Sequence, residues 1–243
     1  MKLPDIIIYT DGSSRGNPGP GGWGAMVATH ERVVELGGGD RHTTNNKMEL
    51  MAAIESLDIV RDLGNAFTIE VRADSRYVVN GITKWVFGWQ KNGWRTSNKE
   101  EVANRDLWER LAVVVADVQM SGSKIIWTYI PGHSGIPGNE RADEIATACA
   151  DGKKPELFDG AREEYKVSLT DMTIHSLPQK KSSEGKERQK MKAYSYVSLV
   201  EGVFMKHSTW TECEKRVKGV ARAKWKKAVS KEDEESIVRA WKA

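Results

Sequence analysis

Four carboxylates stand out by where they fall: Asp11, Glu49, Asp74 and Asp143. Asp11 leaves the β-branched and aromatic run Ile6-Ile7-Ile8-Tyr9 and enters a stretch crowded with glycine and proline, "DGSSRGNPGPGGWG". Asp74 ends a second strand-like run, Phe67 to Ala73, that alternates apolar and charged residues. Glu49 sits in the first turns of a helical pattern and Asp143 early in another. An Asp-Gly at a strand end is also ordinary turn chemistry, and a single acid reads equally as a solvated surface group. Gathered in one place, four acids would repel one another unless a cation neutralised them. Hard oxygen ligands with open positions suit Mg²⁺, with Mn²⁺ as a substitute. Two such ions would activate water on one side of a phosphodiester and stabilise the leaving oxygen on the other. Asn17, Asn45, Asn46 and Arg76 neighbour these acids in sequence. Asparagine both donates and accepts, as a partner of a hydroxyl must, but it also serves turns and caps.

The elements that must position the acids follow from periodicity. Ile6 to Tyr9, Trp23 to Thr29 and Arg32 to Leu36 read as strands. Asn45 caps a helix whose Leu50, Ala53, Ile54 and Leu57 share one face. Phe67 to Ala73 is a fourth strand, followed by a short helix around Tyr77, Val78 and Ile82 and by the aromatic, polar stretch "KWVFGWQKNGWRTSNKEE". Leu107, Leu111, Val114, Val115 and Val118 mark a longer amphipathic helix, and Ile125 to Ile130 a fifth strand. A loop over Gly132 to Gly138 leads to a helix with Ala142, Ile145, Ala146 and Cys149 on one face. The order β-β-β-α-β-α-α-β-α implies an α/β fold: a mixed five-stranded sheet with flanking helices.

Charge divides the 243-residue chain. Residues 1–150 carry 16 Lys+Arg against 19 Asp+Glu, a balance of −3, and residues 151–243 carry 21 against 15, a balance of +6. The second part is the one suited to a polyanion. We expect a first domain over 1–152, a partly disordered linker over 153–192 that includes "QKKSSEGKERQKMK", and a small α+β domain over 193–243. In that last part "AYSYVSLVEGVF" reads as two strands turning at Glu201-Gly202, and Thr209 as the cap of a helix beginning at Trp210. The N-terminus lacks the apolar stretch of a signal peptide, no run approaches membrane-spanning length, and two cysteines make no disulfide framework. The expectation is a cytoplasmic monomer with no membrane partner.

Five blocks, "YTDGSSRGNPGPGGWGA", "TTNNKMELMAAIESL", "ADSRYVVNGITKW", "NRDLWERL" and "IPGHSGIPGNERADEIA", occur in order, and with them residues 5–150 resemble a type 1 ribonuclease H of bacterial form. The resemblance implies that Asp11, Glu49, Asp74 and Asp143 form a four-carboxylate metal site. It implies hydrolysis of the RNA strand of an RNA–DNA hybrid, leaving 3′-hydroxyl and 5′-phosphate ends. His133, on residues alone a surface-loop histidine, would assist proton transfer or product release. Gly12 and Asn17 would meet the substrate where glycines let the backbone come close. Asn17 and Asn46 would contact the RNA strand, with Asn45 beside them, and Thr44 and Asn104 a DNA phosphate. Arg76 departs from the family's usual glutamine and would offer a phosphate contact instead. Trp85 to Glu101 matches the substrate-binding protrusion, in which Trp85, Trp89 and Trp94 fit either packing or contact. Glu100 and Glu101 dilute its positive charge, which implies weaker binding there.

Residues 180–227 hold 14 Lys+Arg against 5 Asp+Glu. Within them "GVF…TWTECEKRVKGVARAKWKKAVSKEDEESIV" resembles the hybrid-binding, viroplasmin-like domain of eukaryotic type 1 ribonucleases H, which lies before the catalytic domain there and after it here. That resemblance implies Trp210 and Trp225 against a DNA strand and Lys226 and Lys227 on phosphates. On residues alone, a solvated basic helix with tryptophans in a small core is an equal reading.

Overall fold

Three successive isoleucines and a tyrosine make β1 (Ile6–Ser14), buried on both faces, so its sequence reads as one unbroken apolar run. Ile6 and Ile8 face one side and Ile7 and Tyr9 the other. The computed structural model describes residues 4–174, 193–200, 202–218, 220 and 223–242. They fall in two compact units, one within residues 1–178 and one within 179–243. The charged run 179–192 and Glu201 lie outside the described residues.

In the first unit β1 pairs antiparallel with β2 (Gly19–Ala28), and β2 with β3 (Arg32–Thr43). It pairs in parallel with β4 (Thr68–Ala73), which pairs in parallel with β5 (Lys124–Tyr129). The register sets Thr10 opposite Ala73; Asp11 lies inside β1, which runs on to Ser14, and not at a strand end as expected, and it stands beside Asp74 just past the end of β4. Helix α1 (Asn45–Asp62) covers one face with Leu50, Ala53, Ile54 and Leu57, all fully buried, and is backed by α4 (Arg105–Met120). Between β4 and α4 the chain forms α2 (Arg76–Asn80), one π-helical turn over Gly81–Trp85, and α3 (Val86–Lys91). Helix α5 (Pro137–Ala150) covers the other face. Its cap carries no side-chain hydrogen bond.

Three expectations change. The cap of α1 is Thr44, not Asn45: Thr44 Oγ1 accepts from the Lys47 amide, while Asn45 is already helical. The sheet has six strands, because β6 (Asp159–Ala161) adds to β3. Residues 155–172, read by composition as linker, continue the first unit. Leu169 is buried, and Phe158, Tyr165 and Met172 pack beside it. These apolar residues follow no period because they are drawn in singly by an irregular segment, and pattern reading needs a period.

The glycines after Asp11 also turn out to serve packing. A Cβ on Gly12 would overlap the backbone of Glu49, and one on Gly22 or Gly24 would overlap the backbone of α5. Close approach of two helices to the sheet, and not of a substrate, fixes glycine at these three positions.

The second unit is an antiparallel sheet in the order β8-β7-β9, formed by β7 (Ser195–Val200), β8 (Val203–His207) and β9 (Lys224–Ala228). Helix α6 (Trp210–Val217) starts at Thr209, which forms a reciprocal capping box with Glu212. Helix α7 (Lys231–Lys242) brings Ile237 onto Val197 and Ala228 in a small core. No helix among the described residues is long and apolar enough to cross a membrane.

Candidate active site

The middle of β1, the end of β4 and the first turns of α1 bring three acids together. Single carboxylate oxygens of Asp11, Glu49 and Asp74 lie within 4.8 Å of one another, with Asp11 and Glu49 buried. Asp143, on α5, stands outside that trio but presses its charge on both Asp11 and Asp74. The electrostatics show how unfavourable the cluster is by itself. Burial, then the charges of Asp74 and Asp143, push Asp11 up to about 9 against the opposing Gly12 amide, which donates at 2.7 Å. Burial and the charges of Asp11 and Asp74 hold Glu49 well above the usual carboxylate range. Its Oε1 accepts from Asn45 Nδ2 at 3.3 Å, and its buried Oε2 has no hydrogen-bond partner. Burial raises Asp74 as well, with a hydrogen bond from Asn139 and the charge of His133 pulling the other way.

An orphaned buried carboxylate oxygen facing two more carboxylates is the donor set a hard divalent cation takes. The residues therefore fit a metal ion.

The other expected residues surround this centre unequally. His133, exposed on the loop before α5 with a left-handed backbone (φ 52°), sets Nδ1 3.9 Å from Asp143 Oδ2. Thr44 and Asn45 lie at the start of α1 beside Glu49, with Asn46 exposed next to them. Asn17 is exposed in the loop between β1 and β2. Arg76 follows Asp74 closely, and its guanidinium lies 4.2 Å from the centroid of the Tyr129 ring. Asn104 takes a left-handed conformation (φ 59°) just before α4 and donates through Nδ2 to the Tyr77 hydroxyl at 3.3 Å. Trp85 is 38 % exposed and packs its ring against Trp89 and Tyr77.

Asn139 is a site residue that sequence reasoning missed. It lies in the quoted block "GHSGIPGNERAD", yet only the fold turns its side chain onto Asp74. The placement of Arg76 over the Tyr129 ring is likewise something no spacing rule shows.

In the second unit the Trp210 and Trp225 rings lie 4.4 Å apart, and Tyr196 is 5.7 Å from Trp210. Alternation along β9 places Trp225 and Lys227 on one face of the sheet and Lys226, with Lys224, on the other. The four expected residues thus divide three to one.

Residues 4–151 match the RNase H family model. A ribonuclease H of Bradyrhizobium diazoefficiens is 48% identical over 145 residues, covering 60% of this chain and 89% of its own length. One from Aeromonas salmonicida is 49% identical over 152 residues, covering 63% of this chain and 94% of its own. Among solved structures, LC9-RNase H1, described as a type 1 RNase H with the type 2 active-site motif, superposes with a TM-score of 0.57 at 28% identity. The match covers 73% of this chain and 88% of that one. Relatives matched over nearly their whole length at close to half identity, on a domain whose β1, β4 and α1 gather the acids, leave one family: the chain belongs to the RNase H family, and residues 4–151 form a type 1 ribonuclease H catalytic domain.

Proposed function

We propose that the enzyme hydrolyses the RNA strand of RNA–DNA hybrids, leaving 3′-hydroxyl and 5′-phosphate ends, with its acids holding two divalent ions, Mg²⁺ or Mn²⁺. The observation that carries this reading is the convergence of Asp11, Glu49 and Asp74 around an unpartnered Glu49 oxygen. Bound there, the ions would neutralise phosphate charge and make water acidic enough to attack near neutral pH. Asp11, Glu49, Asp74 and Asp143 would be their ligands. Asn45 and Asn139 orient Glu49 and Asp74. His133, exposed and facing Asp143, would carry a proton through its ring between the reaction centre and solvent.

Recognition would fall to the rim. Asn17, Asn45 and Asn46 have the donor-acceptor chemistry for 2′-hydroxyls and minor-groove edges, and Thr44 and Asn104 would hold a phosphate of the DNA strand. Arg76, whose guanidinium lies over the Tyr129 ring, would reach a backbone phosphate. Gly12 would contribute backbone only, since its Cα is closed in by Glu49.

The second unit, joined through a segment rich in lysine, would raise the local concentration of the catalytic domain on the same hybrid. Trp210, Trp225 and Lys227 share the face suited to stacking on sugars or bases beside a phosphate contact. Lys226 would reach phosphate only from the opposite face. We expect Trp225→Ala to raise KM for hybrid about tenfold with kcat unchanged, since one stacked ring contributes about 1–3 kcal/mol. An unchanged KM would remove the second unit from substrate binding. We place the enzyme in the cytoplasm as a monomer.

The deciding experiment is cleavage of a labelled RNA–DNA hybrid with Mg²⁺, beside single-stranded RNA, double-stranded RNA and double-stranded DNA. The expected result is cutting of the hybrid's RNA strand alone, abolished by EDTA. Binding without cutting would overturn the reading in favour of a hybrid-binding module.

A further inference from the structure

We propose that residues 155–172 act as a strap that positions the catalytic acids, by gripping one residue two places upstream of each of three of them. The proposal rests on the reading of Asp11, Asp74 and Asp143 as one catalytic centre. The gripped residues are Tyr9 before Asp11, Arg72 before Asp74 and Arg141 before Asp143. On a strand, residues two apart share a face, so Tyr9 and Asp11 lie on the same side of β1, while Arg72 lies on β4 two places before Asp74, just past its end.

The first anchor is Glu35 on β3, whose side chain is 1% exposed. It accepts from Arg141 Nε and Nη2 at 2.8 Å each, from the Phe158 amide at 2.9 Å and from the Tyr165 hydroxyl at 2.6 Å. Arg141 Nη2 also donates to the Glu156 carbonyl at 2.9 Å. The strap therefore completes a buried bidentate ion pair that holds α5 to β3. The second anchor is Leu169. Its side chain is buried in one cluster with Tyr9, Ile130, Ile136 and Ala142. Its carbonyl accepts from the Tyr9 hydroxyl at 3.1 Å and from Arg72 Nη1 at 2.8 Å. Ile130 and Ile136 flank the His133 loop, and the Tyr9 ring leaves no room for a Cβ on Gly138 of α5.

These ties fasten α5 laterally, beside its close backbone packing on Gly22 and Gly24 of β2. The RNase H match ends at residue 151, and the strap residues that make these contacts, Glu156, Phe158, Tyr165 and Leu169, lie beyond it. The strap thus supplies to the catalytic helix a support that the matched domain does not contain. Its effect is on geometry, where displacement by about 1 Å can cost up to 10²-fold in rate.

The test is steady-state cleavage of labelled RNA–DNA hybrid with Mg²⁺ by the full chain and its Tyr165→Phe, Leu169→Ala, Leu169→Met and Asp143→Asn variants. Hydrogen exchange of the metal-free proteins is followed in parallel. We expect Tyr165→Phe and Leu169→Ala to lower kcat about tenfold with KM within about twofold. Exchange should quicken most over residues 130–146, with smaller increases around Tyr9 and Arg72, and Leu169→Met should restore kcat. Parental kcat in both strap variants, beside lost cutting by Asp143→Asn, overturns the proposal alone. A kcat loss matched by a fall in folded protein, with faster exchange throughout the first unit, also overturns it, because the strap is then mere cover. Retained cutting by Asp143→Asn overturns the reading of the centre and the proposal with it.

Discussion

Asp11→Asn lowers cleavage about 10³-fold or more and, at pH 8, stabilises the metal-free protein. The first effect follows from losing a charged ligand at the centre of the cluster, where metal-supplied charge stabilisation is worth several kcal/mol. The second follows from the same geometry with opposite sign. Asp11 is pushed up to about 9 by burial and by Asp74 and Asp143. A group whose folded pKa lies above its unfolded one favours folding while protonated, and that contribution is lost as pH rises through the folded value. Between about pH 4 and pH 9 the folded parent holds a proton on Asp11 that the unfolded chain releases, so its stability falls as pH rises, and the neutral amide escapes that loss. Relief of that loss is worth about 1–3 kcal/mol, or about 2–10 °C in the melting temperature of a domain this size. Thermal unfolding of EDTA-treated parent and variant checks it. The gain should shrink toward pH 4, and saturating Mg²⁺ should narrow it at pH 8 by stabilising the parent more. A variant that melts lower than the parent at pH 8 without metal would mean that the acids are not crowded as described.

Periodicity places each acid on an element, Asp74 after a strand and Glu49 and Asp143 early in helices, but that the four belong together rests on the five-block resemblance and not on spacing. The parallel register that sets Thr10 beside Ala73 is what brings Asp11 and Asp74 into one site, and the unbroken apolar run of β1 carries no alternation that would show it in advance. What stayed hidden is nonlocal. Glu35 reads as an exposed strand acid until Arg141, 106 residues later, and the strap enclose it. Thr44 and Asn45 are both good caps, and only the backbone of residue 44 (φ −126°, ψ 157°) decides between them. Trp225 and Lys226 are neighbours in sequence and so read as one patch, but the pleat separates them. Asn139 and Tyr129 gain their roles from what the fold sets against them.

Glu35→Ala is the substitution expected to cost most stability. Removing the carboxylate leaves Arg141 facing a buried space with only Glu144, which is mostly exposed, and the Glu156 carbonyl. It also deprives the Tyr165 hydroxyl and the Phe158 amide of their acceptor. Breaking one side of a buried pair costs about 3–5 kcal/mol, and we take about 3 because Arg141 is a quarter exposed. The melting temperature at pH 7 should fall by about 6–12 °C. The pH dependence identifies the cause. Burial alone would raise Glu35, yet hydrogen bonds from Arg141, Tyr165 and Phe158 outweigh it and hold the carboxyl below its usual range. A depressed folded pKa contributes stability that is present above the unfolded value, near 4.5, and is lost as pH falls through the folded one. The gap between parent and Glu35→Ala should therefore be full at pH 7 and close as acid protonates Glu35 in the parent. Glu70, depressed by Arg72 and Thr128 against burial, titrates identically in both proteins and drops out of the difference. A gap that stays constant from pH 7 to pH 3 would assign the loss to a cavity and not to the ion pair. Because this pair fastens α5, the same variant should also lose kcat beyond its loss of folded protein, which ties the acid limb of stability to the placement of Asp143.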